Sequence, residues 1–380
     1  MGSKDFLLSI FCTIILLNIS LISSNVVSED EKTDREISII IGPYPQNTDL
    51  DSAYIIWQTN ITTVNNSVHF GFNPDCDNIL YENINSEFHK IELDELKPST
   101  EYYYKVVSDE IESDVYMFHT SFEVNESVKF IAYGDTRGVW DNWRSASIVA
   151  KSIKKEQPYF ALHTGDFVKN GLINSQWVDF FSISNFTHNC TIYPVLGNHE
   201  YYGDSYFQYF TIPGNGYWYS FDNGPIHFIG LDSNKKNLFN PYQIFWLFKD
   251  LMSNCKPYTI VFFHHPPYSS GNHGSTNLIR LLWVPLFSIF NVDIVFNGHD
   301  HSYERGLAKD VNFIVTGGGG APLYNVKESW WTIYSEKTHH YCLIAANQSQ
   351  LSFQAIKPDG DIIDSFIIEN QVLHSVSDLY

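Results

Sequence analysis

Apolar and polar positions alternate in short runs over residues 36–122, and turn residues separate the runs. Typical runs are residues 53–58 and 102–107, which are rich in aromatic and β-branched side chains. Short strands at this spacing, with no helical stretch among them, are typical of a sandwich of antiparallel sheets. The pattern therefore predicts an all-β domain over residues 36–122.

The pattern changes near residue 128, where apolar runs begin to alternate with stretches of helical periodicity. Alternating strands and helices indicate a layered α/β domain, which we predict for residues 123–380. The aromatic side chains of the helix predicted over residues 241–252 have helical spacing, so we expect them to face the core. The predicted strands are residues 130–133, 160–163, 193–196, 226–231, 260–263 and 294–296, with further strands at 313–316, 343–346 and 351–356, and the predicted helices are residues 143–155, 175–183, 241–252 and 278–290.

The first part of the chain belongs to neither domain. Lys4 precedes the apolar run of residues 6–17, and small residues follow, which is the layout of a secretory signal peptide. A membrane anchor is the alternative, but the run is shorter than the roughly 20 residues that span a bilayer. We predict a cleaved signal over residues 1–24, a flexible lead-in over 25–35, no membrane span after cleavage, and a secreted or endolysosomal protein.

Secretion gives a meaning to the cysteines and to six Asn-x-Ser/Thr triplets. Four cysteines follow the signal, none of them in a Cys-x-x-Cys pair, so a zinc knuckle is not expected. We favour a disulfide between Cys190 and Cys255, because each precedes an apolar strand-like run; four separate thiols are the alternative. The triplets predict surface glycosylation at Asn60, Asn65, Asn125, Asn185, Asn189 and Asn347.

Polar side chains able to bind metal ions come directly after the predicted strands. Asp135, Asp166 and Asn198 each follow a strand, and successive positions are about one β-α-β unit apart. The carboxyl ends of successive parallel strands meet at one edge of a sheet, where α/β domains build their sites. A glycine precedes each of the three residues, and we expect it to let the chain turn sharply off the strand.

Two later strands end in histidines. His264 follows the strand at 260–263, and His299 and His301 follow the strand at 294–296. Carboxylate and imidazole ligands together suit Fe, Zn or Mn. The set is larger than one tetrahedral ion needs, and it suits two ions that share a carboxylate.

The order of these motifs resembles a known family. Gly-Asp, Gly-Asp, Gly-Asn-His-Glu, His-x-Pro-x-Tyr and Gly-His-x-His-x-Tyr-Glu-Arg follow one another over residues 134–305. This order is similar to that of the calcineurin-like metallophosphoesterases, and most of all the purple acid phosphatases, over roughly residues 36–360. Those proteins also place a fibronectin type III-like domain in front, and residues 96–104 resemble its turn-and-strand entry. The resemblance implies an α/β metallophosphoesterase domain preceded by an all-β fibronectin III-like sandwich.

The resemblance also implies roles for single residues. Asp166 would bridge two metal ions, and His199 would bind phosphate and protonate the leaving oxygen. His273 is either a second outer group or an exposed loop histidine. The implied ligands are Asp135, Asp166 and His301 for the first metal, and Asp166, Asn198, His264 and His299 for the second, with His265 outside the ligand set.

The chain departs from the family at the first metal. Purple members have a Tyr ligand three residues after the bridging Asp, but this chain has Lys169, which donates and cannot ligate. Arg137 likewise does not supply the first-turn histidine of the wider superfamily. The first metal is one ligand short, so we expect no purple colour, and Zn, Mn or Fe(II) fits as well as a ferric ion. Arg137 and Lys169 either bind the substrate's phosphate or are solvated surface residues.

The charge limits the partners. With 43 acidic and 23 basic residues and a net charge of -20, the chain is not expected to bind a nucleic-acid polymer, because that needs a basic surface. A small phosphate ester stays possible, since metal cations reverse the sign locally. The resemblance implies a secreted phosphatase in which a metal-bound hydroxide attacks phosphate monoesters. The alternatives are a phosphodiesterase or nucleotide pyrophosphatase with the same site, and an inactive secreted binding protein; the oligomeric state stays open.

Overall fold

The computed structural model describes residues 36–200 and 203–370 of the chain. The predicted signal peptide, residues 1–24, and the lead-in, residues 25–35, lie outside the described residues. Within the described ranges, no helix is both long enough and apolar enough to cross a membrane.

Eight strands form the N-terminal sandwich. They are β1 (Ile39–Gln46), β2 (Ala53–Thr63), β3 (Asn66–Gly71), β4 (Asn78–Glu82), β5 (Ser86–Leu93), β6 (Glu101–Ser108), β7 (Ile111–Glu112) and β8 (Tyr116–His119). One sheet has the order β1-β2-β5, and the other has the order β4-β3-β6-β7 with β8 paired to β6. Trp57, Tyr104 and Phe118 belong to the core of this sandwich. The predicted all-β region is therefore confirmed.

Thirteen strands form two mixed sheets in the rest of the described chain. They are β9 (Val128–Tyr133), β10 (Phe160–His163), β11 (Thr191–Pro194), β12 (Tyr219–Asn223), β13 (Ile226–Gly230), β14 (Tyr258–Phe262), β15 (Ile294–Asn297), β16 (Tyr303–Ala308), β17 (Val311–Thr316), β18 (Thr332–Glu336), β19 (Tyr341–Ala346), β20 (Gln350–Ile356) and β21 (Ile362–Glu369). The first sheet has the order β11-β10-β9-β19-β20-β21, and the second has the order β12-β13-β14-β15-β17-β16-β18. Strands β9 to β11 are parallel, as are β13, β14, β15 and β17.

Helices cover the outer faces of the two sheets. They are α1 (Arg144–Glu156), α2 (Asn174–Ile183), a 3₁₀ helix (Asn185–Asn189), α3 (Asp204–Tyr209), α4 (Lys235–Leu238), α5 (Pro241–Ser253), α6 (Asn277–Leu282) and α7 (Val284–Ile289). Val149 of α1 and Trp177 of α2 pack on the first sheet. Leu247 of α5 and Phe287 of α7 pack on the second.

The two sheets pack face to face through aromatic side chains. The rings of Phe130 and Phe160 in the first sheet lie 5.2 and 5.4 Å from the ring of Phe228 in the second, in edge-to-face geometry. Such pairs add about 0.5–1.5 kcal/mol beyond the burial of their area. Helix, sheet, sheet and helix thus form four layers, which confirms the predicted α/β class.

Buried hydrogen bonds join the sandwich to the α/β part. The Tyr44 hydroxyl of β1 donates to the carbonyl of Tyr209 at the end of α3, at 2.8 Å. The Tyr104 hydroxyl of β6 donates to the carbonyl of His188 at 2.6 Å. These bonds give both carbonyl groups of the α/β part a donor from the sandwich.

An ion-paired histidine fastens α5 to the second sheet. His227 of β13 lies 2.6 Å from Asp222 of β12 and 2.9 Å from Asp250 of α5. Burial lowers the pKa of His227, but the hydrogen bonds and charges of the two carboxylates outweigh burial and raise it to about 9. The contact is therefore charged at neutral pH.

Two expectations about helices are wrong. The helix predicted over residues 278–290 is two helices, α6 and α7, separated at Trp283, because Pro285 fits only the first turn of a helix. The aromatic side chains of α5 do not all face the core, since Tyr242 and Phe245 are 78% and 60% exposed.

The predicted disulfide between Cys190 and Cys255 is also wrong, because every cysteine in the described ranges is a free thiol. Cys190 is buried beside β11, at the edge of the first sheet. Cys255 is exposed and precedes β14, an inner strand of the second sheet. The two cysteines thus precede strands of different sheets, one thiol buried and the other exposed, and they do not pair.

Candidate active site

Three neighbouring parallel strands of the first sheet end at the same edge. Asp135 follows β9, Asp166 follows β10 and Asn198 follows β11. These strands are adjacent and parallel, so their carboxyl ends bring the three polar residues together.

The second sheet brings the histidines. His264 follows β14, and His299 and His301 follow its parallel neighbour β15. Nε2 of His264 lies 3.5 Å from Oδ1 of Asp166. The site is therefore built where the carboxyl ends of two sheets meet.

Three of the predicted ligands have a left-handed backbone. The φ angle is 56° at Asp135, 59° at Asp166 and 71° at His299. Residues other than glycine in such conformations cost about 1–3 kcal/mol each, and they cluster at active sites. Gly165, which precedes Asp166, also has a positive φ of 91°, as expected of a glycine that turns the chain off its strand, and the three ligand residues add left-handed positions of their own.

Gly197, which precedes Asn198, and Gly298, which precedes His299, allow close packing at the site. A Cβ atom at Gly197 would lie 2.2 Å from Oδ1 of Asp166, and one at Gly298 would lie 2.4 Å from Oδ2 of Asp135. Any side chain at these positions would displace a carboxylate. Backbone N–H groups of His199 and His299 donate to the same two oxygens, at 3.0 and 2.9 Å.

The ligand atoms of the second metal position converge. Nε2 of His264 lies 3.1 Å from Oδ1 of Asn198, 3.2 Å from Nδ1 of His299 and 3.5 Å from Oδ1 of Asp166. Ligands about 2.0–2.2 Å from a common ion lie about 2.8–3.6 Å from one another in octahedral or tetrahedral geometry. The other three residues are thus each at ligand spacing from Nε2 of His264, which supports assigning the four to one metal ion such as Zn²⁺.

Hydrogen bonds fix the histidine tautomers. Nδ1 of His264 lies 2.8 Å from the Thr164 carbonyl, and Nδ1 of His301 lies 2.7 Å from the Pro322 carbonyl. A carbonyl only accepts, so Nδ1 carries the proton in both rings, and Nε2 presents its lone pair to the site. Burial also holds the pKa of His264 well below its usual value, which keeps the ring neutral.

The first metal position has three donor atoms and a cation beside them. Oδ1 of Asp135 lies 3.5 Å from Nε2 of His301 and has no hydrogen-bond partner in the described part of the chain. Arg137 is buried in the same place: Nη2 contacts Nε2 of His301, and Nη1 lies 3.5 Å from Oδ2 of Asp166. The three donors suit a metal, but the guanidinium occupies their open side.

Glu200 holds the backbone of the turns that carry the metal ligands. The sequence analysis did not assign this role. It is fully buried, and its carboxyl group accepts backbone N–H groups of Asp166, Phe167 and Gly197 at 3.0, 2.9 and 2.7 Å. Burial, and then the nearby Asp166 charge, raise the pKa of Glu200 to about 8. The sequence feature that could have indicated this role is the position of Glu200 at the end of the Gly-Asn-His-Glu motif.

His199 lies at the mouth of the site. Its Nδ1 is 2.6 Å from the Lys169 carbonyl and therefore donates, while its Nε2 lies 4.0 Å from Oδ2 of Asp166. Burial is the main cause that lowers the pKa of His199. The ring thus presents Nε2 toward the space in front of the ligands.

Two further histidines border the second metal position. The exposed His273 has its ring 4.3 Å from that of His299, and its loop is held by Asp300, which accepts the His273 N–H at 2.7 Å. His265 lies 4.6 Å from the His299 ring, with Nδ1 2.9 Å from the Ser233 hydroxyl. His265 was set aside as a ligand from the sequence, yet it lies within the histidine group.

Lys169 and Arg137 share an aromatic neighbour. Nζ of Lys169 lies 5.0 Å from the Trp140 ring, and the guanidinium carbon of Arg137 lies 5.5 Å from it. Arg137 is only 5% exposed, so it is not a solvated surface residue. Lys169 is exposed at the rim.

Comparison with known proteins agrees with this geometry. Residues 128–303 match the family model of the calcineurin-like phosphoesterases, the class that the fold and the site define. Residues 44–120 match the model of the purple acid phosphatase N-terminal domain. The chain therefore contains a calcineurin-like phosphoesterase domain preceded by a purple acid phosphatase N-terminal domain. Phosphoesterases of this kind are hydrolases that use a dinuclear metal centre, and the described residues include candidate ligand groups for it.

Relatives cover part of the chain. An uncharacterised protein of Mycobacterium tuberculosis is 28% identical over 56% of this chain and 49% of its own length. The acid phosphatase type 7 of Mus musculus is 29% identical over 57% of this chain and 56% of its own length. The chain thus spans about half the length of these curated relatives. A purple acid phosphatase from yellow lupin seeds shares the fold, with a TM-score of 0.75, 21% identity, and coverage of 86% of this chain and 74% of its own.

Proposed function

We propose that the chain is a metal-dependent phosphatase that hydrolyses small phosphate monoesters. One observation carries this proposal: ligand atoms of Asp166, Asn198 and His299 each lie 3.1–3.5 Å from Nε2 of His264, the spacing of ligands that share a metal ion. The names of the mouse relative and the lupin structure support the same activity.

The residues suggest where metal ions would be held. Asp166, Asn198, His264 and His299 would hold Zn, Mn or Fe in the second position. When bound, such an ion polarises a phosphoryl oxygen and makes water a better nucleophile near neutral pH. Asp166, which places one oxygen on each side, orients the whole group.

The chain's own residues would then handle the leaving group and the phosphate charge. His199, fixed through its Nδ1, would hold a proton on Nε2 and give it to the departing alcohol. Arg137 and Lys169 would offset negative charge on the phosphoryl oxygens. His273 would contact the ester from the opposite rim.

We also propose that the protein is secreted or enters the endolysosomal lumen. The apolar run at residues 6–17 supports this proposal. All six Asn-x-Ser/Thr asparagines are at least partly exposed, so each is accessible for glycosylation.

Hydrolysis of p-nitrophenyl phosphate and of bis(p-nitrophenyl) phosphate by the metal-loaded protein tests the activity. We expect a preference for the monoester, and a loss of at least about 100-fold in both variants, since His264→Ala removes a ligand and Asp166→Asn removes the negative charge of the shared carboxylate. The controls change the same residue types outside the site: Asp310→Asn in the turn between β16 and β17, and His69→Ala in β3 of the sandwich. A preference for the diester would identify a phosphodiesterase, and full activity of both site variants would contradict the metal site.

A further inference from the structure

The guanidinium of Arg137 lies among the donors of the first metal position. Nη2 contacts Nε2 of His301, and Nη1 lies 3.5 Å from Oδ2 of Asp166. Arg137 reaches this place from the turn after β9 and is 5% exposed. It is therefore an internal part of the site.

The contact with His301 competes directly with a metal ion. Nδ1 of His301 carries the ring proton, because it faces the Pro322 carbonyl at 2.7 Å. Nε2 then has one lone pair, which can accept an Arg137 N–H or bind a metal ion, but not both. While the guanidinium holds that lone pair, the first position has only Asp135 and Asp166 left.

The positive charge of Arg137 also disfavours a metal ion in the first position. The guanidinium is positive at all pH values at which proteins fold, so it repels a cation placed beside it. It also meets the need for positive charge between the buried carboxylates of Asp135 and Asp166. Lys169, at the position where a further ligand is expected, has its ammonium group over the Trp140 ring and adds a second positive charge.

Asp166 shows how the two halves of the site differ. Its Oδ1 faces His264 at 3.5 Å, and its Oδ2 faces Arg137 at 3.5 Å. A single carboxylate therefore bridges a metal position on one side and a guanidinium on the other. Nε of Arg137 has no hydrogen-bond partner in the described residues, which leaves one N–H for an oxygen of a bound anion.

We propose that this chain binds one metal ion, at Asp166, Asn198, His264 and His299, and that the Arg137 guanidinium takes the place of the other cation. The idea that Arg137 then contacts a phosphate oxygen rests on the proposed function. The number of metal ions does not depend on it.

The metal content of the full chain tests the proposal. Purified protein is incubated with excess Zn²⁺ or Mn²⁺, freed of unbound metal by gel filtration, and analysed by mass spectrometry for metal per chain. We expect one equivalent in the wild type and in His301→Ala, and less than half an equivalent in His264→Ala. Arg137→His, which exchanges the guanidinium for a ligand, should bind two equivalents.

Electron paramagnetic resonance distinguishes one bound Mn²⁺ ion from two neighbouring ions. Mn²⁺ in the wild type should give the electron paramagnetic resonance spectrum of an isolated ion, and the Arg137→His variant that of a coupled pair. Circular dichroism checks that every variant is folded.

Two equivalents in the wild type, with one lost in His301→Ala, would overturn the proposal. So would a single equivalent in Arg137→His, because the guanidinium would then not be what excludes the second ion. A one-metal protein without phosphatase activity would refute the proposed function alone, and an active two-metal protein would refute this inference alone.

Discussion

Replacing Glu200 by Gln tests how the buried carboxyl group holds the metal ligands. Its two oxygens accept three backbone N–H groups, two of which belong to the turn of Asp166 and Phe167 and one to Gly197, which precedes Asn198. The Gln amide has nearly the same shape, but one end becomes an NH₂ group. The NH₂ group would face the Phe167 N–H, and because both groups are donors, that hydrogen bond would be lost.

The size of the effect follows from these bonds. With its pKa raised to about 8, Glu200 is mostly uncharged at neutral pH. A hydrogen bond between uncharged groups contributes about 0.5–1.5 kcal/mol, and a buried donor without a partner costs about 1–3 kcal/mol. One lost bond, with some relaxation of the turn, gives an expected loss of about 1–3 kcal/mol in the free energy of unfolding. Removal of a group that orients metal ligands also weakens metal binding by about 10–100-fold.

Urea unfolding of the metal-free protein and Zn²⁺ titration with a competing chelator measure the two effects. Glu304→Gln is the matched control, because Glu304 is also buried and accepts donors from Ser270 and Thr332. The control should lose stability but keep its metal affinity. Stability within about 0.5 kcal/mol of the wild type in Glu200→Gln, the usual effect of a neutral surface change, together with unchanged affinity, would refute the reasoning.

Three further predictions concern other contacts. His199→Ala should lower kcat about 10²–10⁴-fold for phenyl phosphate and much less for p-nitrophenyl phosphate, whose leaving group needs no proton; an equal loss for both would exclude His199 as the acid. His227 has its pKa raised to about 9, so its roughly 2–3 kcal/mol of stability is fully present below about pH 6.5 and is lost as the pH rises through about 9. Urea unfolding at several pH values should show this decline in the wild type and not in His227→Gln. Tyr44→Phe should cost about 1–2 kcal/mol, because the carbonyl of Tyr209 loses its buried donor; an unchanged urea midpoint would contradict this.

The alternation of strands and helices was predictable because each strand is a short apolar run that ends at a turn. The helix predicted over residues 241–252 matches α5 (Pro241–Ser253) almost residue for residue. The strands β16 (Tyr303–Ala308) and β18 (Thr332–Glu336) were missed, since charged and polar residues interrupt their apolar pattern. The division into two sheets depends on pairing between distant strands, such as β9 with β19, and no local pattern encodes it.

The candidate site was predictable where one residue follows one strand. Asp135, Asp166 and Asn198 follow parallel neighbouring strands, whose carboxyl ends meet. His264 joins them from the end of a strand in the second sheet. The place of Arg137 was not predictable, since its contact with His301 depends on how the two sheets face each other. The disulfide prediction failed for the same reason.

Hydrolysis of p-nitrophenyl phosphate after metal removal tests the central claim most directly. The protein is treated with a chelator, dialysed, and assayed before and after addition of Zn²⁺ or Mn²⁺, with His264→Ala in parallel. The account predicts that chelation abolishes activity, that added metal restores it in the wild type, and that His264→Ala stays inactive. Full activity of the metal-free protein, or of His264→Ala, would contradict it.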